Sequence, residues 1–333
     1  MKILVVKPSS LGDIIHALPT VRILRRAFPQ ADIAWLVNDN FAPILNGCPV
    51  INRIIPFARR RYATLDGWME FVHLIAALHR ERFDWVVDLQ GLLRSGLIAL
   101  ATGARRRTGL SDGREGSTSF YNELVKLPPL HLHAVDRYLM LPRQLGMEVD
   151  RVEFPLAPDP RGPKAARESL ILINPGARWH TKRWPAARFS ELIACLAARW
   201  PDHRIAIIGS ADERLVAEAI AKAAHAHVEV LAGRTTLPQL VDLMRRARLL
   251  VSNDSGPMHL AVAVGTPVVA IMGPTNPRLT GPYPASTHIV LYATMPCSPC
   301  LKGKCKPTKE MECMTAIGVT EVVNAADHLM RKS

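Results

Sequence analysis

The sequence predicts an α/β protein with two doubly wound parallel-sheet domains in series. Short apolar runs alternate with amphipathic stretches through both halves of the 333 residues, as expected for parallel strands covered by helices. Between the halves, residues 155–163 contain four prolines and little hydrophobicity, which is typical of a linker. We therefore predict a first domain over residues 1–160, a second over 161–318, and a C-terminal helix over 319–333.

In the first half, a buried strand leads through a tight turn at residues 8–13 into a helix. The alternation of apolar and polar residues then continues to about residue 109. We predict strands over 2–7, 33–37, 51–56 and 85–91, helices over 14–28, 68–81 and 92–102, and the start of a further strand at 105–109.

The second half repeats this alternation without a detectable repeat in sequence. We predict strands over 170–173, 204–208, 228–231, 249–251 and 268–272, and helices over 187–199, 215–224, 237–246, 258–264 and 319–331.

The βαβ unit at residues 249–277 carries the strongest local signal. Small and polar residues follow both of its strands, at the ends where open α/β sheets bind ligands. Ser255 and Gly256 open the helix, where backbone N–H groups can approach an anion closely. Asp254 would repel a phosphate, so its carboxylate suits sugar hydroxyls beside it. The alternative is that residues 253–255 only cap the helix.

Composition is ordinary for a soluble globular protein, with 48% hydrophobic and 21% charged residues. No apolar run reaches the roughly 18 residues of a membrane span, and the N-terminus resembles no signal peptide. We therefore expect a cytoplasmic protein.

The formal charge of +13 indicates an anionic partner, such as a phosphorylated substrate, an anionic membrane surface or nucleic acid. Only 6% of residues are aromatic and nucleic-acid motifs are absent from the sequence, so we expect no nucleic-acid partner.

Four cysteines are closely spaced near the C-terminus: Cys297, Cys300, Cys305 and Cys313. Four thiolates could bind zinc or iron tetrahedrally, although this spacing matches no standard zinc finger. Free thiols and disulfides are the two alternatives, and disulfides are disfavoured in the cytoplasm. Any metal ion here would be structural.

Three segments together resemble a known family: residues 9–19 (SSLGDIIHALP), 182–185 (KRWP) and 254–259 (DSGPMH), with residues 273–275 (GPT) also fitting. This sequence is similar to the bacterial ADP-heptose:lipopolysaccharide heptosyltransferases. The resemblance implies the GT-B fold, in which two Rossmann-like domains face a central cleft. It implies that the first domain binds the acceptor and the second the nucleotide sugar, and that the C-terminal helix returns towards the first domain. It also implies inverting transfer of heptose from ADP-heptose to the lipopolysaccharide inner core, with a Kdo or heptose acceptor on lipid A.

The resemblance assigns catalytic roles to two residues. Asp13 would be the general base that accepts the proton of the acceptor hydroxyl. Lys182 would face the diphosphate and stabilise the charge that builds up as ADP leaves. No cofactor or divalent metal would then be required for catalysis. The alternative for Asp13 is a structural cap at the start of its helix.

The resemblance also implies residues that bind the two substrates. Glu213 would accept hydrogen bonds from ribose hydroxyls, with Asp212 as the alternative. Arg183 could assist Lys182 at the diphosphate. The predicted donor-binding residues are Ser10, Gly12, Arg178, Gly209, Glu213, Asp254, Ser255, Gly256 and His259. The predicted acceptor-binding residues are Arg59, Arg60 and Arg61, with Gln90, Arg94 and His133 lining the same cleft.

The expected partners are an ADP-sugar donor and a lipid A–core acceptor at the anionic inner membrane surface. We therefore expect a monomer that is peripheral to that membrane. Three other functions remain open at this point. They are a related glycosyltransferase that uses another nucleotide sugar, a nucleotide-sugar epimerase on the same fold, and a basic nucleic-acid binder with a metal knuckle at its cysteines.

Overall fold

The computed structural model describes residues 1–58, 61–63, 65–129, 131–162, 165–305 and 311–332. The chain divides into two compact units, Met1–Pro158 and Asp159–Ser333. The division falls inside the proline-rich stretch of the sequence. Among the described helices, none combines the length and the apolar character needed to cross a membrane.

The first unit contains six parallel strands in the order β3-β2-β1-β4-β5-β6. The central strands β1 and β4 are almost entirely buried, because helices flank the sheet. Its elements are β1 (Lys2–Val6), α1 (Leu11–Ala27), β2 (Asp32–Asn38), β3 (Arg53–Phe57), α2 (Leu65–Arg80), β4 (Trp85–Asp88), α3 (Leu93–Ala101), β5 (Arg106–Leu110), β6 (Glu123–Val125) and α4 (Ala134–Gln144).

The second unit also contains six parallel strands, in the order β12-β11-β10-β7-β8-β9. Its elements are β7 (Leu170–Asn174), α5 (Ala186–Arg199), β8 (Arg204–Ile207), α6 (Arg214–Ala223), β9 (Val228–Val230), α7 (Leu237–Arg246), β10 (Leu249–Asn253), α8 (Gly256–Ala263), β11 (Val268–Met272), α9 (Pro277–Thr280), β12 (Ile289–Tyr292), α10 (Glu312–Thr315) and α11 (Val319–Lys332).

Both sheets have the same topology. Counted within its own unit, each sheet has the strand order 3-2-1-4-5-6. The first three strands are added towards one edge of the sheet and the last three towards the other edge, so the order of addition reverses between the first and fourth strands. These switch points lie between β1 and β4 in the first unit and between β7 and β10 in the second. Loops leaving the carboxyl ends of such strand pairs diverge and open a crevice that binds ligands.

Most predicted elements are present, but five of the described strands and helices were missed. The strand β6 has only three residues, β12 is only half-buried, α4 carries Pro142, which a helix interior disfavours, and the helices α9 and α10 have only four residues each. The predicted start of the first helix was also wrong. The helix α1 begins at Leu11, because the Ile14 N–H already donates to the Ser10 carbonyl at 2.9 Å. Asp13 therefore lies in the first helical turn.

The C-terminal helix α11 is part of the second unit's hydrophobic core. Its Asp327 accepts a hydrogen bond from the Trp200 indole at 2.9 Å and forms an ion pair with Arg199. The Trp184 indole donates to the Ile317 carbonyl just before this helix, at 3.0 Å. The further expectation that this helix returns towards the first domain stays a prediction.

Candidate active site

The loop from β1 to α1 occupies the first switch point. Ser10 has extended backbone geometry and caps α1. Its backbone N–H and its hydroxyl both donate to Asp13 Oδ2, each at 2.8 Å. This capping box fixes the position of the Asp13 carboxylate at the helix N-terminus, where a negative charge is favoured.

A buried lysine lies beneath Asp13. The Lys7 Nζ atom lies 4.0 Å from Asp13 Oδ1, and the lysine side chain is 3% exposed against 42% for the aspartate. The same ammonium lies 5.2 Å from the centre of the Tyr138 ring on α4. Burial by itself would raise the pKa of Asp13, but the Lys7 charge and the hydrogen bonds from Ser10 outweigh it and hold that pKa below its ordinary value. Asp13 is thus an ionised, half-exposed carboxylate that can accept a proton.

The end of β4 supports this loop from the other side of the switch point. Asp88 is fully buried and accepts hydrogen bonds from the Gln90 N–H, the Gly91 N–H and the Tyr121 hydroxyl. The Gln90 side chain in turn accepts from the Ser9 N–H at 3.3 Å. The structure therefore places Gln90 against the backbone that leads to Asp13.

The predicted acceptor residues are described only in part. Arg59 and Arg60 lie outside the described residues. Arg61 is exposed and forms an ion pair with Glu70 on α2 at 3.1 Å. Arg94 is exposed in the first turn of α3.

His133 caps the N-terminus of α4, where its Nδ1 accepts from the Val135 N–H at 3.1 Å. Its ring meets His16 edge-on, at 5.5 Å between centroids. Arg61, Arg94 and His133 follow the ends of β3, β4 and β6. All three therefore lie at the carboxyl edge of the first sheet, which is also the edge that carries Asp13.

Two buried asparagines hold the loops at the second switch point. Asn174, at the end of β7, donates to the hydroxyls of Ser252 and Ser255 at 2.9 and 2.7 Å. Asn253, at the end of β10, donates to the Pro175 carbonyl at 2.7 Å and accepts from the Trp184 N–H at 3.1 Å. Neither asparagine was predicted as a functional residue, although Asn174 directly follows a buried apolar run and Asn253 is separated from one only by Ser252.

Lys182 and Asp254 form an ion pair, with 2.7 Å between Nζ and Oδ2. The aspartate is 3% exposed and the lysine 18%, so the pair is mostly shielded from water. The Thr275 hydroxyl donates to the same carboxylate oxygen. The Trp179 ring lies 4.9 Å from the lysine ammonium. The sequence predicted separate roles for Lys182 and Asp254, and the structure shows that they are in direct contact.

Next to this ion pair is the N-terminus of α8. Ser255 is the N-cap residue and Gly256 is the first residue of the helix, so the Gly256 N–H and the positive end of the helix dipole favour an anion here. His259 is buried in the same helix. The second unit thus brings a cation and a helix N-terminus together at its switch point.

Glu213 links the loops that follow β7 and β8. Its Oε2 accepts from the Ser210 N–H at 2.8 Å. A Cβ atom added at Gly176 would lie 2.1 Å from the other carboxylate oxygen, and one at Gly209 would lie 3.0 Å from Oε2. Both glycines therefore leave room for this carboxylate. Arg178 is exposed in the loop after β7.

Arg183 has a structural contact, because its Nε donates to the Ala177 carbonyl at 2.9 Å. The same loop is held by the segment that carries the first three clustered cysteines. The Thr181 hydroxyl donates to the Lys302 carbonyl at 2.7 Å, and an added Cβ at Gly303 would lie 3.5 Å from the Trp179 indole. This cysteine segment therefore supports the loop of Lys182.

All six cysteines are free thiols, so the structure does not contain the disulfides considered from the sequence. Burial raises the pKa of the Cys313 thiol, and the nearby Cys300, Cys297 and Cys305 raise it further. Within the described ranges, no group of three or more His, Cys, Asp or Glu side chains is arranged to hold a metal ion.

Sequence comparisons match most of the chain. The model of glycosyltransferase family 9 (heptosyltransferase) matches residues 71–310. Lipopolysaccharide heptosyltransferase 1 of Pseudomonas aeruginosa is 34% identical over 330 residues, covering 93% of this chain and 89% of that protein. The chain belongs to glycosyltransferase family 9. Lipopolysaccharide heptosyltransferase 1 of Escherichia coli K12 is 31% identical over 300 residues, covering 85% of this chain and 91% of that protein.

Solved structures of heptosyltransferases have the same fold. The E. coli heptosyltransferase WaaC with ADP superposes with a TM-score of 0.81 at 25% identity, covering 99% of this chain and 100% of that one. The E. coli ADP-heptose lipopolysaccharide heptosyltransferase II gives a TM-score of 0.79 at 25% identity, covering 100% and 99%. The GT-B fold implied by the sequence resemblance is therefore confirmed.

Proposed function

We propose that this protein transfers heptose from ADP-heptose to the inner core of lipopolysaccharide, with inversion at the anomeric carbon. Its family 9 relatives are named as lipopolysaccharide heptosyltransferases. The observation that carries the proposal is the chemistry at the two switch points. The first holds an ionised carboxylate at Asp13, and the second holds the Lys182–Asp254 pair beside the α8 N-terminus.

In the proposed reaction, Asp13 is the general base. The acceptor hydroxyl oxygen attacks C1 of the heptose while its proton passes to the Asp13 carboxylate. The bond between C1 and the diphosphate oxygen breaks, and ADP leaves with the bonding electrons. Attack from the face opposite ADP inverts C1. The Lys7 ammonium and the Ser10 donors keep Asp13 ionised and oriented for this step.

The second unit would bind the donor. Lys182 and the N–H groups at the start of α8 would offset the negative charge that develops on the diphosphate. Asp254 fixes the lysine and would also accept from heptose hydroxyls. The remaining predicted donor contacts are Ser10, Gly12, Arg178, Gly209, Glu213, Ser255, Gly256 and His259, and the predicted acceptor contacts are Arg59, Arg60 and Arg61.

Protein groups alone would stabilise the leaving diphosphate in this proposal, so turnover should persist in excess EDTA. Activity that EDTA abolishes and magnesium restores would contradict this role of Lys182. A structural zinc or iron ion at Cys297, Cys300, Cys305 and Cys313 stays a prediction from the sequence. Elemental analysis of anaerobically purified protein tests it, because a true site must contain stoichiometric metal.

The acceptor would be a lipid A–core molecule at the anionic surface of the inner membrane. We accordingly propose a cytoplasmic, peripheral and monomeric enzyme. A donor screen with a defined lipid A–core acceptor, read by mass spectrometry, tests the function. Product formed from ADP-heptose would support the proposal. Product formed only from a different nucleotide sugar would support the related glycosyltransferase instead.

A further inference from the structure

The outer faces of α2 and α3 are unusually apolar. Eleven large hydrophobic side chains are exposed among the described residues, and six of them lie on these two helices. Their exposed fractions range from 40% to 58%: Trp68, Met69, Val72, Leu93, Leu97 and Leu100. Single exposed hydrophobic residues need no explanation, but a cluster of this kind marks an interaction surface.

The spacing of these residues makes one stripe on each helix. Leu93, Leu97 and Leu100 follow each other at intervals of four and three residues, so they share one face of α3. Ile98 and Ala99 of that helix are buried on the opposite side. A surface helix normally has one apolar stripe, facing the core. The second stripe on α3 therefore requires another explanation.

The helix α2 shows the same arrangement. Trp68 and Val72 lie one turn apart and are exposed, with Met69 beside them. Phe71 and Leu74 of the same helix instead pack against the core of the first unit. This helix also has more apolar surface than its packing uses.

The two helices lie side by side on one face of the first sheet. The helix α2 leads from β3 to β4 and α3 leads from β4 to β5, in the same direction across the sheet. Right-handed crossovers in the same direction place both helices on the same face. Leu78 of α2 and Ile98 of α3 accordingly belong to one hydrophobic cluster. The two exposed stripes therefore lie on the same side of the unit.

Basic residues border this apolar surface. Arg94 is exposed next to Leu93, and Arg80 is exposed at the end of α2. Arg61, just before α2, is exposed and pairs with Glu70 of that helix, and Glu115 accepts from the Leu93 N–H. The chain as a whole has a formal charge of +13. Leucine, methionine and tryptophan bordered by arginine are the composition of helices that lie in the headgroup layer of anionic membranes.

We propose that the outer surface of α2 and α3 docks the protein on an anionic lipid bilayer. Trp68 and the three leucines of α3 would enter the headgroup layer, and Arg94 would contact lipid phosphates. The N-termini of both helices lie at the same sheet edge as Asp13, so docking brings this edge close to the membrane. The inference rests on the proposed function in one respect: the proposed acceptor is lipid-linked, so the enzyme would bind it at the membrane surface.

Vesicle co-sedimentation tests the docking surface. The full-length protein is mixed with vesicles of phosphatidylethanolamine and phosphatidylglycerol, or of phosphatidylcholine alone. We expect the wild type to bind the anionic vesicles and the double variant Leu97→Gln/Leu100→Gln to bind about tenfold more weakly, because two half-exposed leucines lose their transfer to the lipid layer.

The matched control is the double variant Leu215→Gln/Val216→Gln on α6 of the second unit. Its two side chains are 79% and 49% exposed, so it removes comparable apolar surface from a helix outside the proposed face. It should bind vesicles like the wild type. Equal binding by both double variants, or an equal loss in both, would overturn the proposal. Thermal melts of both variants verify folding.

Two further measurements separate the alternatives. Light scattering measures the mass in solution, and a wild-type dimer that Leu97→Gln/Leu100→Gln converts to a monomer would assign the surface to self-association and overturn membrane docking. Heptose transfer to a delipidated, water-soluble acceptor is measured in parallel. If vesicle binding depends on the surface but no transfer occurs, the proposed function fails while the docking inference stands.

Discussion

At the scale of single residues, the Asp13 carboxylate carries the strongest prediction. Asp13→Asn keeps the size and the acceptor oxygen for Ser10 but removes the basic group. Because Asn and Asp cap helices about equally well, the fold of α1 should be retained. We expect the turnover rate to fall by about 10²–10⁴-fold. Single-turnover kinetics with saturating acceptor measure this rate. Near wild-type turnover would mean that Asp13 is only a structural cap.

Lys7 should control the pH at which Asp13 works. Lys7→Met removes the buried positive charge that lowers the pKa of Asp13, so this pKa should rise. A base loses activity as the pH falls through its pKa, and the acid limb of the pH–rate profile should therefore move to higher pH. Because Ser10, His16 and Arg137 also act on this site, some lowering should remain.

The matched control for this change is Lys2→Met, at the half-exposed start of β1, the strand that leads to Lys7; Lys2 pairs with Glu81. Its pH profile should superpose on that of the wild type. If Lys7→Met also leaves the acid limb in place while Asp13→Asn is inactive, then Asp13 is the base but Lys7 does not tune it.

At the scale of elements, tight contacts between neighbouring strands and loops set the stability of the first unit. A Cβ atom at Gly109 on β5 would lie 2.3 Å from the Tyr121 ring, whose hydroxyl donates to the buried Asp88. Gly109→Ala should therefore destabilise the first unit by about 1–3 kcal/mol. Thermal or urea unfolding measures this loss.

Gly303→Ala is the control for that substitution. The nearest atoms to its added Cβ would belong to the Trp179 indole at 3.5 Å, an ordinary contact distance. Its midpoint should stay close to that of the wild type. If Gly109→Ala also unfolded at the wild-type midpoint, the Tyr121 ring would be able to move aside without loss of stability.

At the scale of the whole molecule, the two units should respond differently to the nucleotide. ADP should slow amide hydrogen exchange in the loops that follow β7 and β10, around Lys182 and Asp254. The first turn of α1, around Asp13, should keep its exchange rate. The donor contacts proposed there, at Ser10 and Gly12, would be made to the sugar end of the donor, which ADP lacks. Protection confined to the first unit would reverse the assignment of the two sites.

Much of the fold was predictable from local sequence. Strands such as β1, β7 and β10 are short apolar runs followed by polar turns, and that pattern arises because helices cover both faces of a parallel sheet. The start of α1 was misplaced by one turn, because the capping role of Ser10 depends on a hydrogen bond with Asp13 that apolar periodicity does not reveal.

The sequence by itself determined the two-unit α/β class and the family, and it predicted Asp13, Lys182 and Asp254 as site residues. Only the tertiary structure showed that Lys7 lies beneath Asp13, that Lys182 pairs with Asp254, and that Asn174 and Asn253 hold the second switch point. The reason is physical. Strand order brings together residues far apart in the chain, and a buried charge acquires its role from neighbours that no local pattern specifies.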